Sequence, residues 1–241
     1  MLPKLDVPVF ETKLVSNGKS VKYRPFLVKE QKLFLMASQS EEVNEIINVV
    51  KQVLNNCILT KEIDIDSLPI FDIEHLFLQL RSKSVGEIVE LNYTCNNNIE
   101  VDGQSKKCGN LVSLNVDLSK VEADIDPTHT AKIQLTENMG IMMKYPTFNM
   151  VEKYNTDNVN IFDMIIECID FIYDKDSIYY SKDVEKSEMV EFIENLQQVD
   201  FAKVEQFFSS MPKMKQELDF KCPKCHYEEK ILVEGIQNFF G

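Results

Sequence analysis

An α+β fold is predicted by three features of this chain. A hairpin signature near the N-terminus is followed by apolar residues at helical spacing. Two distant pairs of cysteines each lie between stretches that alternate apolar and polar residues, as strands do. Between the two halves of that cysteine-bearing β-element lies a long stretch in which both patterns occur.

The elements follow in order. Residues 1–9 contain Pro3 and Pro8, which deny backbone donors and predict an extended arm or sheet edge. Asn17-Gly18 predicts a two-residue turn between strands over 12–16 and 19–23. A helix is expected from Val28, with Leu33, Phe34, Met36 and Ala37 on its apolar side. Ser40 is placed to cap a second helix that runs to Asn56 and buries Val43, Ile46, Ile47, Val50 and Leu54. Segment 63–68 reads as a linker with short β character. Asp72 is placed to cap a third helix whose stripe is Ile73, Leu76, Phe77 and Leu80, and Gly86 ends it.

Segments 88–93 and 111–116 alternate as strands on either side of Cys95 and Cys108. A strand pair is predicted over 131–135 and 141–145, then a short helix over 148–154. A single helix is predicted over 160–173, with Phe162, Ile165, Ile166 and Ile169 inward. A short strand at 178–180, helices at 187–196 and 200–211, and strands at 216–221 and 227–233 complete the series. Phe239 and Phe240 near the end serve either a partner contact or the chain's own core. Three regions result: a hairpin and helices over 1–86; a split, zinc-ribbon-like β-element over 87–118 plus 214–234; and an inserted mixed α/β region over 128–212.

Cys222-Pro-Lys-Cys225 has the two-residue gap that lets both sulfurs reach one ion. Cys95 and Cys108 are separated by twelve residues, which read as a polar, turn-rich insertion in the opposite knuckle loop. Together Cys95, Cys108, Cys222 and Cys225 make a closed four-thiolate set for structural zinc. Two other readings stay open: unrelated reduced thiols, and a redox-active Cys222–Cys225 pair, which needs a strand-to-helix setting. His226 is a competing ligand. Cys57 and Cys168 lie on apolar helix faces and read as buried core thiols.

Composition narrows the function. Across 241 residues the net charge is −13, which disfavours nucleic-acid binding, since phosphate contacts need clustered Lys and Arg. No apolar run is long enough for stable membrane insertion, and no signal peptide is visible. Few cysteines, arranged for metal, suit a reducing cytoplasm. No nucleophile elbow, phosphate loop, dinucleotide fingerprint or zinc-protease motif occurs. His75 reads as a satisfied core or boundary residue and His129 as a loop residue. The acidic series Asp163, Glu167, Asp170 and Glu185, Glu188, Glu191, Glu194 read as solvated helix faces. No enzyme activity and no small-molecule substrate are expected.

Three stretches together resemble a known family: 23–37 (Tyr-Arg-Pro-Phe-Leu-Val-Lys-Glu-Gln-Lys-Leu-Phe-Leu-Met-Ala), 71–87, which leads into the first knuckle strand, and the split cysteine element. Their order is similar to that of the baseplate hub, or hub assembly, proteins of T-even-type contractile-tailed bacteriophages. The resemblance covers about residues 1–120 and, beyond them, the general organisation and Cys222-Pro-Lys-Cys225. It implies a non-enzymatic protein made in the infected bacterial cytoplasm. Such a protein helps build the central hub with other tail proteins, as a resident of the virion baseplate or as a chaperone that leaves. Arg24, Lys29, Glu30, Arg81, Lys83 and Glu87 are candidates for an ion-pair network between hairpin and helices. A zinc-ribbon regulator contacting nucleic acid or RNA polymerase is the alternative.

Overall fold

The computed structural model describes residues 5–37, 43–101, 103–154 and 161–235. The expected cap Ser40 and the aromatic pair Phe239 and Phe240 lie outside them. Strands β1 (Phe10–Lys13) and β2 (Ser20–Tyr23) form the N-terminal hairpin, with Phe10 opposite Tyr23 and Lys13 opposite Ser20. Its loop is not the expected two-residue turn. Leu14 N–H donates to the Lys19 carbonyl at 3.0 Å and Gly18 N–H to the Leu14 carbonyl at 2.9 Å, which leaves residues 15–18 as the loop. Gly18 sits at φ +69, where a side chain is disfavoured. The cause of the wider loop lies elsewhere in the chain. Asp72 Oδ1 accepts from Val15 N–H at 2.7 Å and Ser16 N–H at 3.1 Å, so those donors face a carboxylate rather than the partner strand.

Helix α1 (Val28–Ala37) opens with half of a capping box. Glu30 Oε2 accepts from Leu27 N–H at 2.8 Å, and its Oε1 pairs with Arg24 Nη2 at 3.0 Å. Arg24 also donates to the carbonyls of Pro25 and Asn56, which ties the hairpin to the end of α2 (Val43–Cys57). Lys29 joins at 3.4 Å, whereas Lys83 and Glu87 form their own exposed pair at 2.8 Å. Leu33, Phe34 and Ala37 turn toward the core, but Met36 is 62% exposed, against expectation. Segment 63–68 is not β-like: Asp64 caps a 3-10 turn, Ile65–Ser67, that buries Ile65.

Helix α3 (Ile70–Ser84) starts after Pro69, so Asp72 lies inside its first turn and does not cap it. Its carboxylate reaches the hairpin loop instead. The N-terminal core gathers Val53, Leu54, Ile73, Phe77 and Leu80, with Phe34 edge-on to Phe77 at 5.7 Å.

Strands β3 (Ile88–Thr94) and β6 (Leu111–Asp117) pair antiparallel, Ile88 opposite Asp117. Between them the polar insertion folds into its own hairpin, β4 (Asn98–Val101) and β5 (Gln104–Lys107), which was not anticipated. Strand β7 (Glu122–Asp124) was also missed; three residues carry too short an alternation to read.

In the inserted region, β8 (Lys132–Gln134), β9 (Gly140–Met143), β10 (Ile169–Tyr173) and β11 (Ile178–Tyr180) form a sheet in the order β11-β10-β9-β8. Helix α4 (Phe148–Tyr154) precedes α5 (Ile161–Glu167), and Phe148 plugs into the N-terminal core. The single helix expected over 160–173 is therefore two elements. Cys168 N–H closes α5 onto the Met164 and Ile165 carbonyls, and Lys144 N–H then takes the Cys168 carbonyl at 2.7 Å. From Ile169 the chain has strand partners on both edges, β9 and β11, and this pairing overrides the apparent helical period. Asp170 accordingly leaves the helical acidic series. Helices α6 (Lys186–Glu194) and α7 (Gln198–Ser209) contribute Met189, Ile193, Val204 and Phe207 to the core shared with Ile141, Ile166 and Ile169. At Gly140 a methyl group would collide with the Tyr173 hydroxyl and the Ile133 carbonyl.

Strand β12 (Lys213–Lys221) pairs with β13 (Glu228–Glu234) on one side and β7 on the other. Leu78 of α3 packs with Val89, Val116, Leu118, Met214 and Val233, so the third helix carries one face to each of two cores.

Candidate metal centre

Two strand pairs aim their ends at one point. In the first, Thr94 opposite Leu111 is the last ladder pair, and the next residue on each side extends it: Cys95 N–H donates to the Asn110 carbonyl at 2.8 Å. The inserted hairpin then closes its base, with Cys108 N–H to the Asn97 carbonyl at 2.7 Å and Gly109 N–H to the Cys95 carbonyl at 3.1 Å. In this way the two flanking cysteines meet despite the residues between them. In the second pair, Lys221 opposite Glu228 ends the ladder and Cys222 N–H donates to the Tyr227 carbonyl at 2.9 Å. The knuckle turns through His226 at φ 59, whose N–H donates to the Cys222 carbonyl at 2.9 Å.

All four predicted sulfurs come together, each within 4.8 Å of the others. Cys95 and Cys225 Sγ are 3.6 Å apart, and Cys108 and Cys222 Sγ 3.8 Å. A tetrahedral zinc with Zn–S near 2.3 Å needs sulfurs about 3.8 Å apart. The spacing and the donor set therefore fit a four-thiolate ion. Cys95, Cys108 and Cys222 are buried and Cys225 partly so. Phe220 and Tyr93, edge-on at 5.0 Å, pack against the cluster together with Ile99.

Polar donors reach two of the sulfurs. Asn97 Nδ2–H points at Cys225 Sγ at 3.7 Å and Asn110 Nδ2–H at Cys222 Sγ at 3.8 Å. Such donors around the ligands orient them and spread their charge. Lys224 Nζ donates to the Cys108 carbonyl at 3.2 Å and straps the two halves together. Burial resists ionisation of Cys222, but the backbone N–H groups of Cys225 and Lys224, together with the Cys225 and Cys108 thiols, outweigh it and draw the thiol down to about 6. Burial, above all, pushes Cys95 up to about 12. The Asn110 N–H pulls Cys108 down, yet burial and the Cys225 and Cys222 thiols raise it overall. Four crowded sulfurs of this kind cannot all carry charge unless a cation shares the site.

Other expected residues lie elsewhere. His226 is exposed and stands outside the sulfur cluster. His75 Nε2 is 2.8 Å from Thr12 Oγ1, and burial lowers its pKa against the opposing effect of Asp72. His129 bridges Ser210 Oγ at 2.8 Å and Tyr145 Oη at 3.0 Å and stacks on Tyr145. Both are satisfied structural histidines. Cys57 and Cys168 are fully buried thiols, each raised by burial, to about 11 and about 12. Cys225 leads into strand β13, which is not the strand-to-helix setting of a redox pair. Sequence reasoning missed Asn97 and Asn110, although the repeated Cys-x-Asn of 95–97 and 108–110 was there to be read.

Among the described residues no helix is long and apolar enough to cross a membrane. No curated protein and no solved structure matches the chain. The family model of the T4 bacteriophage base plate protein matches residues 7–241, nearly the whole chain, and the protein belongs to that family.

Proposed function

We propose that the protein is a non-enzymatic part of the central hub of a contractile-tail baseplate, built around one structural zinc held by Cys95, Cys108, Cys222 and Cys225. The convergence of four sulfurs from two distant chain segments carries this reading. Membership of the base plate family supplies its setting. The ion supplies no reaction; its four positions are all filled by protein, and it clasps residues 87–118 to 214–234. Regions 1–86 and 128–212 are then held on either side as surfaces for other tail proteins. The protein is made in the host cytoplasm and acts there during assembly, as a subunit of the finished hub or as a chaperone for it.

The distribution of charge supports protein partners over nucleic acid. Two of the lysines beside the cysteines are engaged, Lys221 with Glu228 at 2.5 Å and Lys224 with the Cys108 carbonyl. Co-expression with the other tail proteins, followed by pull-down and mass spectrometry, tests the reading. Recovery in complex with hub components is expected. A chain that stays alone when every hub component is present contradicts it. Mass spectrometry of finished particles then separates subunit from chaperone.

A further inference from the structure

An open groove of about 930 Å³ runs between the first turn of α3, helices α5 and α7, and the junction of β12 with β13. It lies away from the sulfur cluster. Phe71, Phe162, Phe201 and Phe208 form its aromatic walls. Met164, Met211 and Met214 supply unbranched, polarizable surface, the kind that adapts to varied apolar side chains. At the mouth, Ile161 is 62% and Phe162 42% exposed, although Phe162 also stacks on Phe201 at 5.6 Å. Large apolar side chains left open beside a groove mark an interaction site more often than chance exposure.

The rim specifies the occupant. Three carboxylates, Glu74, Glu205 and Glu234, border the apolar floor, against one cation, Lys213. Several apolar anchors between like-charged edges match an amphipathic helix whose flanks are basic. A second copy of the chain, at net charge −13, would bring repulsion to this rim. The chain's own last residues, Ile236-Gln-Asn-Phe-Phe-Gly241, offer aromatic anchors but no cation.

The geometry points to a docking groove for a basic amphipathic helix of another tail protein. This rests on the reading of the chain as an assembly component, and deepens it by naming the face and the chemistry of the partner.

The probe is a fluorescein-labelled model peptide with leucines at helical spacing and lysines on its flanks, beside the same peptide with glutamates for lysines. Fluorescence anisotropy with the full chain is expected to show the lysine peptide bound at least about tenfold more tightly, with an affinity that falls as salt rises. Glu205→Lys, at an exposed position, and Phe162→Asp should each weaken binding about tenfold or more. Equal binding of the two peptides, or unchanged binding in both variants, overturns the proposal. So does a chain ended at Gly235 that binds the peptide much more tightly, which would assign the groove to residues 236–241. Variants that dissolve a self-assembled form of the chain also overturn it, in favour of a second copy. If Glu205→Lys loses one tail protein in the co-expression pull-down and keeps the rest, the groove is supported. If the unaltered chain binds the lysine peptide yet captures no tail protein, the groove stands and the assembly reading fails.

Discussion

Around Phe77 the chain buries phenylalanine, leucine and isoleucine drawn from a hairpin and four helices; around Phe220 it gathers three buried thiols and a fourth partly buried one from the ends of two strand pairs. The first region has enough apolar surface to hold itself together. The second has few large side chains, two ladders of modest length, and segments more than a hundred residues apart in sequence. Apolar burial alone is a weak clasp for such a distant pairing, and the proposed ion would supply what the core lacks. The two regions also differ in how they treat charge. The N-terminal core buries Glu30 and satisfies it with Arg24 and the Leu27 N–H, and it buries Asp72, whose Oδ1 takes two backbone N–H groups while its Oδ2 has no hydrogen-bond partner among the described residues. The cysteine cluster buries potential thiolates and satisfies them only in part with Asn97, Asn110 and backbone donors.

The sharpest way to break the contrast is to remove a ligand. Cys222→Ser should cost about 4 kcal/mol or more in the cysteine element, because metal and fold are lost together. The near-ultraviolet circular dichroism of Tyr93 and Phe220 reads the loss, and a strong chelator should reproduce it in the unaltered protein. Phe77→Ala should cost about 3–5 kcal/mol, through the cavity it leaves in a core that a chelator does not touch. Denaturant unfolding with and without chelator separates the two cases. A Phe77→Ala deficit that vanishes under chelation would merge the two regions into one.

Asp72→Ala is next. It leaves the Val15 and Ser16 donors without their acceptor, at a cost of about 1–3 kcal/mol. It also frees the Asn17-Gly18 preference, so the hairpin should move toward the two-residue turn. Amide and α-proton contacts by NMR would show Val21 leaving its place opposite Thr12.

Glu30 adds a pH signature. Burial alone would raise its pKa; the bonds from Arg24 and Leu27 outweigh burial and lower it below the ordinary 4.5. A lowered folded pKa contributes stability that is complete above 4.5 and lost as pH falls through the folded value. The stability gap between the protein and Glu30→Gln should therefore narrow in that acid range and hold steady above it. A gap that widens on acidification would contradict the pairing. The smallest effect belongs to His226→Gly, which relieves a side chain at φ 59. Stability should change by less than about 1 kcal/mol, in the favourable direction, with metal content unaltered.

Much of this was readable from local pattern. The helices over Val28–Ala37 and Ile70–Ser84, the strands flanking the cysteines and the Cys222–Cys225 knuckle each declare themselves through period or spacing. What escaped was decided at a distance. The Asp72 carboxylate reset the hairpin loop from another element, and partners on both edges turned Ile169–Tyr173 into a strand. Hairpin β4–β5 hid in a polar stretch because β5 (Gln104–Lys107) has no apolar residue and the alternation of β4 stops at Ile99 and Val101, too short a run to read. Of the candidate site, the four cysteines that come together were legible. The amides of Asn97 and Asn110 left only the repeated Cys-x-Asn as a trace, since their bonds to sulfur form only once the two halves meet.

X-ray absorption at the zinc edge of the purified protein tests the clasp most directly. About one zinc per chain with four sulfur neighbours near 2.3 Å is the predicted result. Nitrogen or oxygen in the first coordination sphere, or a stably folded protein that carries no metal, would contradict it.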